Sequence, residues 1–291
     1  MMRSGAFIII LVGLVLLAAC SHEPDYNEPG EPCLTVEGWI EDGGFPVVIL
    51  TRSLPVSSDF QYIDSLAGHI VRWARVTVSD GTDSVVLTGK YDDRYFPPYI
   101  YTTGRLRGKA GKTYTLTVEY RDLRATATTT IPRRPMGCDF RVERCDNADS
   151  LYQIRARLAD FPDEKNYYQF FVRVGTRTRQ YLACYLGSID DEVLLPETEL
   201  PVYRCHQLGE KAYTPYFFID DTVSVKLAQI DQASYRYWDS YTKGLSLSAN
   251  MFLSTGADIV SNITGGYGYW CGYGAITDHI VIRDSVTTRR N

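Results

Sequence analysis

Cysteine is the side chain here best suited to covalent chemistry, and the chain carries seven. Cys20 stands apart from the rest. It closes Leu17-Ala18-Ala19-Cys20 at the end of an apolar and glycine run from Phe7 to Ala19, with Arg3 supplying a positive charge upstream. As a helix that run is about 20 Å long, short of the ~30 Å hydrocarbon core, so it fits the h-region of a signal peptide and not a membrane span. Leu-Ala-Ala-Cys has the pattern of a bacterial lipobox. Small residues let a peptidase reach the bond before the cysteine, whose sulfur takes a diacylglyceryl thioether.

The remaining six, Cys33, Cys138, Cys145, Cys184, Cys205 and Cys271, are an even set in a chain marked for export, which makes them candidates for disulfides. The sequence leaves their connectivity open. There is no CxxC, and His22, His69, His206 and His279 are scattered, so zinc lacks its usual ligand pairs; no metal or cofactor is expected. Acidic pairs such as Asp190-Asp191-Glu192, Glu197 with Glu199, and Asp220-Asp221 have the residue types of a glycosidase dyad or a calcium loop. Such pairs more commonly solvate turns. GxSxG, HExxH and SxxK are absent, and Arg107 to Thr113 lacks the first P-loop glycine because position 106 is Leu106. The expectation is a non-enzymatic protein.

Aromatic residues are the other candidates, with 22 tyrosines in the chain. Tyr95-Phe96-Pro97-Pro98-Tyr99 places rings on a proline-stiffened loop. Ser261 to Ala275 (SNITGGYGYWCGYGA) interleaves glycines with Tyr267, Tyr269 and Trp270. One reading makes Tyr95, Tyr99, Tyr267, Tyr269 and Trp270 a contact surface for a ligand, glycan or partner. The other makes the second segment a strand whose glycines let backbone and rings pack closely.

Forty-five per cent hydrophobic content and a net charge of −5 exclude a disordered chain and remove the basic field that nucleic-acid binding requires. Positions 1–19 are the expected signal peptide, and 20–32 a lipidated, acidic, proline-rich tether anchored to a membrane. Ser21 after the cysteine is compatible with outer-membrane sorting. Glu23, Asp25, Glu28 and Glu31 resemble a surface-export signal, so the periplasmic and the cell-surface face both stay open.

The elements that must position these residues are strands. From 33 to 131 short alternating runs are separated by turns, including Asp42-Gly43-Gly44, and predict an immunoglobulin-like β-sandwich. Tyr114 after Gly111-Lys112-Thr113 fits a tyrosine corner. Pro132 and Pro135 mark a boundary. Positions 138–291 predict a second antiparallel β-domain, sandwich or barrel. One helix is expected near 231–243, capped by Asp231, stopped by Gly244, with Ala233, Tyr237, Trp238 and Tyr241 on one face. The class is all-β with one helix.

The lipobox Cys20, the strand Leu34 to Ile40, the strand pair from Gly111 to Ile131, Tyr235-Arg236-Tyr237-Trp238 and Ser261 to Gly268 together resemble the DUF4249 lipoproteins of Bacteroidetes. The likeness covers nearly the whole mature chain and brings no catalytic residues with it. Members are often encoded beside TonB-dependent outer-membrane receptors. The resemblance therefore implies an outer-membrane accessory or ligand-binding protein working with such a transporter. An adhesive or structural surface module is the alternative, and a secreted hydrolase would need carboxylates gathered in one cleft.

Overall fold

The computed structural model describes residues 33–52, 67–145, 150–195, 198–205, 214–248 and 259–283. The expected signal peptide, Cys20 and the expected tether lie outside them. Strand β1 (Leu34–Glu41) buries every second residue, Leu34, Val36, Gly38 and Ile40, as a pleated strand with two differently covered faces must. Gly43 adopts φ +77° in the turn that follows, and Gly44 N donates to Glu41 O at 2.9 Å. That turn returns the chain as β2 (Val47–Arg52), antiparallel to β1.

β6 (Tyr99–Thr102) and β5 (Thr88–Tyr91) extend the sheet beyond β2. On the other side of β1 lies β16 (Gly266–Val281), paired in parallel from Leu34 opposite Gly266 to Glu41 opposite Tyr273. The other paired strands are antiparallel. Next to β16 come β15 (Thr222–Ile230), β11 (Tyr167–Val174) and β12 (Leu182–Asp190). The result is one eight-stranded sheet in the order β12-β11-β15-β16-β1-β2-β6-β5, with strands from both sides of Pro132.

Two four-stranded sheets pack on one face of it. β4 (Ser84–Val86), β3 (Arg75–Ser79), β7 (Thr113–Tyr120) and β8 (Leu123–Thr130) cover the β1-β2 end, enclosing Leu34, Val36, Ile40, Val76, Leu116 and Val118. β9 (Gly137–Arg144), β10 (Leu151–Ala159), β13 (Leu200–Val202) and β14 (Phe217–Phe218) cover the β11-β15 end around Ile154, Phe170, Val225 and Leu227. β16 shows that both lie on the same face, since Trp270 enters the first core and Ile276 and Ile280 enter the second, all at even positions. Among the described residues no sheet closes into a barrel. The expected all-β class holds in sandwich form, and α1 (Gln232–Ser248) is the one α-helix among the described residues.

Between the small sheets the chain from Thr130 to Arg133 runs flat against β16. A Cβ at Gly272 would stand 2.9 Å from Ile131 N, and one at Gly274 would stand 2.3 Å from Arg133 O. The glycines of this strand therefore serve close backbone packing. Tyr114 forms the expected corner, its hydroxyl accepting from Lys109 N at 3.0 Å and donating to Arg107 O at 3.3 Å.

α1 lies on the opposite face of the large sheet, packed on β11, β12 and β16. Asp231 caps it, with Oδ1 accepting from Ser234 N at 2.8 Å. Oδ2 accepts from Thr129 Oγ1 at 2.7 Å and Thr130 N at 3.0 Å, which ties the helix start to the end of β8. Two expectations need correction. Gly244 does not stop the helix, because one interior glycine costs about 1 kcal/mol and the chain continues helical to Ser248. The inward face carries Ser234, Tyr237, Trp238 and Tyr241, whereas Ala233 is exposed.

Candidate functional site

The helix does not cover its whole face of the sheet. Beside it lies a groove of about 550 Å³. Four adjacent strands form the floor: Trp39 and Glu41 from β1, Tyr269 and Tyr273 from β16, Lys226 from β15, and Phe171 and Arg173 from β11. Alternation explains the placement of Trp39 and Glu41, since β1 turns Val36 and Ile40 into the sandwich core and its odd-numbered residues to the helix side.

Lys226 is the least expected residue here. It is 7% exposed, inside a strand whose other residues are almost all buried. A buried ammonium needs a partner. Its Nζ pairs with Glu41 Oε1 across β16 and lies 4.1 Å from the centre of the Tyr181 ring. Arg173 also stacks over Tyr181, at 4.8 Å, and donates Nη2 to Ser224 Oγ at 3.1 Å. Its Nε is buried without a hydrogen-bond partner among the described residues.

The groove mouth is made where two loops from distant parts of the chain clasp. Arg94 O accepts from Thr178 Oγ1 at 2.9 Å and Arg179 N at 2.8 Å, and Phe96 N donates to Gln180 Oε1 at 2.9 Å. Asp92 is buried at this rim. Arg94 donates Nε and Nη2 to its two oxygens, both at 2.7 Å, and holds its carboxyl below the usual carboxylate range. Tyr95 leans on Trp39, ring centres 6.3 Å apart and planes 37° apart. On β1, Glu37 lies beside the groove among Tyr237, Tyr241 and Tyr269. Burial pushes its carboxyl up to about 7.

The candidate aromatic residues divide. Tyr95 and Tyr269 both line the groove. Tyr99 does not; its ring sits edge-on to Tyr101 at 5.6 Å and its hydroxyl donates to Arg72 O at 3.1 Å. Tyr267 is 63% exposed on its own. Trp270 is a correction to the contact surface: it is fully buried in the sandwich core and holds backbone with its indole N–H. Tyr235, Tyr237, Tyr241, Tyr269 and Tyr273 form a layer between α1 and the sheet, so five of the 22 tyrosines pack under the helix, three of them buried.

Among the cysteines, Cys33 opens β1, Cys145 follows β9, and Cys138 packs partly buried against the second core. Cys271 is buried under α1, near Ser234 and Trp238. No disulfide joins Cys138, Cys184, Cys205 or Cys271. Cys184 and Cys205 nevertheless lie side by side. The Cys205 thiol reaches Ala183 O at 3.0 Å and Leu182 O at 3.3 Å, within hydrogen-bonding reach of the buried Cys184. Cys20 lies outside the described residues.

The acidic pairs are structural. Asp190, Asp191 and Glu192 converge on Lys165, the latter two at 2.9 Å. Glu199 pairs with Arg141 at 2.9 Å, and Asp221 accepts from Phe218 N at 2.9 Å in a turn. Glu197 lies outside the described residues. Among the described residues no group of three or more His, Cys, Asp or Glu could hold a metal ion, and no helix is long and apolar enough to cross a membrane.

Sequence reasoning passed over Trp39, Glu41, Arg173 and Lys226. One signal was readable: a lysine at the centre of Thr-Val-Ser-Val-Lys-Leu-Ala, where burial of the strand would demand a counter-charge.

A family model described as a domain of unknown function, DUF4249, matches residues 21–277. Among curated proteins, none matches the sequence.

Proposed function

Taking as premise that the chain belongs to the DUF4249 family, we propose that it is a non-enzymatic, lipid-anchored outer-membrane protein that binds a ligand or partner on behalf of a TonB-dependent transporter. The groove beside α1 carries the binding part of this reading. It is concave, aromatic on one side, and holds a small number of fixed polar groups, the usual make-up of a recognition site. Supporting the anchor are the apolar run from Phe7, the Leu-Ala-Ala-Cys motif and the acidic tether. In this arrangement Cys20 holds the protein on the leaflet, the tether gives it reach, and the β-body offers the groove to the transporter or its cargo.

The test is co-purification of the acylated protein from native outer membrane after mild crosslinking. Recovery of an outer-membrane receptor supports the partnership, and recovery of the protein alone overturns it. Cys20→Ser checks the anchor separately. The variant is expected in the soluble fraction, and a membrane-bound C20S protein would refute lipid anchoring.

A further inference from the structure

The ionic groups of the groove do not cancel. Four cations line it, Lys90, Arg173, Arg179 and Lys226, against two carboxylates, Glu41 and Asp92, in a chain whose net charge is −5. Both carboxylates are committed. Glu41 pairs with Lys226, and Asp92 takes the Arg94 fork at 2.7 Å with Lys90 further off at 3.9 Å. Arg173 and Arg179 have no carboxylate partner among the described residues. Arg179 is exposed at the rim, where solvent screens it. Arg173 is different. It is partly buried, flattened over Tyr181, tied by Nη2 to Ser224 Oγ, and lines the groove. A guanidinium so placed, with no carboxylate beside it among the described residues, suits a planar anion presented from the groove.

Next to that surplus charge are flat faces. Trp39 and Tyr95 form a tilted pair, with Tyr269 and Tyr273 on the floor between them and Phe171. Aromatic faces of this kind take the apolar side of a ring. We propose that the groove binds a small monoanionic organic carboxylate carrying a ring, the carboxylate at Arg173 and the ring against Trp39 and Tyr95. The inference rests on the groove being a recognition site, as proposed above, and adds the class of ligand. A single interior cation in excess favours a monoanion over a phosphate, which would bring a second charge towards Glu41 and Asp92. A carboxylate also matches the guanidinium fork in its plane.

Titration of the acylated protein in detergent tests this, with calorimetry and tryptophan fluorescence as readouts. Glucuronate and 4-hydroxybenzoate are the acidic probes, for a sugar and an aromatic ring respectively. Glucose and 4-hydroxybenzyl alcohol are their neutral counterparts. At least one acid is expected to saturate while its counterpart does not, and its affinity should fall with added salt. Arg173→Gln should weaken binding by about tenfold or more, the usual loss when a charged hydrogen bond is removed. Circular dichroism and an unchanged melting temperature confirm that R173Q is folded. Arg179→Gln provides a second charge deletion at an exposed position, expected to weaken binding less.

Equal binding by a neutral counterpart, or unchanged affinity in a folded R173Q protein, would overturn the carboxylate while keeping the recognition groove. Saturation by none of the four probes would overturn the ligand class. Neither result bears on the transporter partnership, which co-purification reads independently.

Discussion

The indole Nε1 of Trp270 donates to the backbone carbonyl of Tyr114 at 3.0 Å, across 156 residues of chain. Tyr114 is also the residue whose hydroxyl closes the corner with Lys109 and Arg107. The last strand is thus fastened to the centre of the first sandwich, by the ring that looked from the sequence like a surface contact.

Trp270→Ala is expected to cost about 3–5 kcal/mol, the usual range for emptying a buried aromatic site. Trp270→Phe keeps most of the volume and removes one donor from the Tyr114 carbonyl, which stays paired with Thr129 in the β7–β8 ladder, for a loss of about 1 kcal/mol. Tyr267→Ala, three residues away and exposed, should stay within about 0.5 kcal/mol. Urea midpoints measured side by side check the ranking. A W270A protein as stable as Y267A would refute the buried placement.

Gly272→Ala should be far more damaging than Gly81→Ala. At Gly272 a methyl group meets backbone atoms of Thr130 and Ile131 at 2.9 Å, which cannot move aside without separating the linker from the sheet. A loss of about 3 kcal/mol follows, at the upper end of overpacking costs. At Gly81 nothing lies within 4 Å, and only the φ of +87° is strained, worth about 1–2 kcal/mol. Thermal melts of the two variants provide the comparison.

Glu37 gives the protein a pH dependence of known sign. Its folded carboxyl titrates near 7, above the ordinary 4.5. Below the ordinary value both folded and unfolded states are protonated and nothing is lost. As pH rises towards 7 the unfolded chain releases a proton that the folded chain retains, and stability declines by about 3 kcal/mol in total. Glu37→Gln should flatten that decline. Denaturation midpoints between the two pH limits, compared for wild type and E37Q, decide the point.

Much of this architecture is legible in the residues. The alternation of Leu34 to Glu41, the Gly43 turn, the Tyr114 corner and the Asp231 cap are local, and local patterns carry their own geometry. The parallel pairing of β1 with β16 is not local. Its partners are separated by most of the chain, and neither strand's composition names the other. The groove was hidden for the same reason. Its floor needs Trp39, Arg173, Lys226 and Tyr269, one from each of four strands that are neighbours only in the finished sheet. Of the candidate rings, Tyr95 and Tyr269 line the groove, but Trp270 beside Tyr269 points to the opposite face, because side chains alternate along the strand.

Under oxidising conditions Cys184 and Cys205 should form a disulfide ahead of any pair involving Cys138 or Cys271. Attack of one thiolate on a small-molecule disulfide such as oxidised glutathione gives a mixed disulfide, and the second thiolate then displaces the reduced thiol. The bond would close a loop of about twenty residues and add roughly 3 kcal/mol of stability. Peptide mapping without reductant checks the pairing. A linkage of Cys184 to any other cysteine would refute it.

The position of β16 constrains the order in which the chain can be completed. During synthesis β1 emerges well before β16, the last of the described strands, yet β16 lies between β1 and β15. Until it arrives, both neighbours present an unpaired edge, and the first sandwich lacks the indole that fills its core. The N-terminal half is therefore expected to wait incomplete, and assembly should proceed as one late cooperative step, not as two bodies folding in turn.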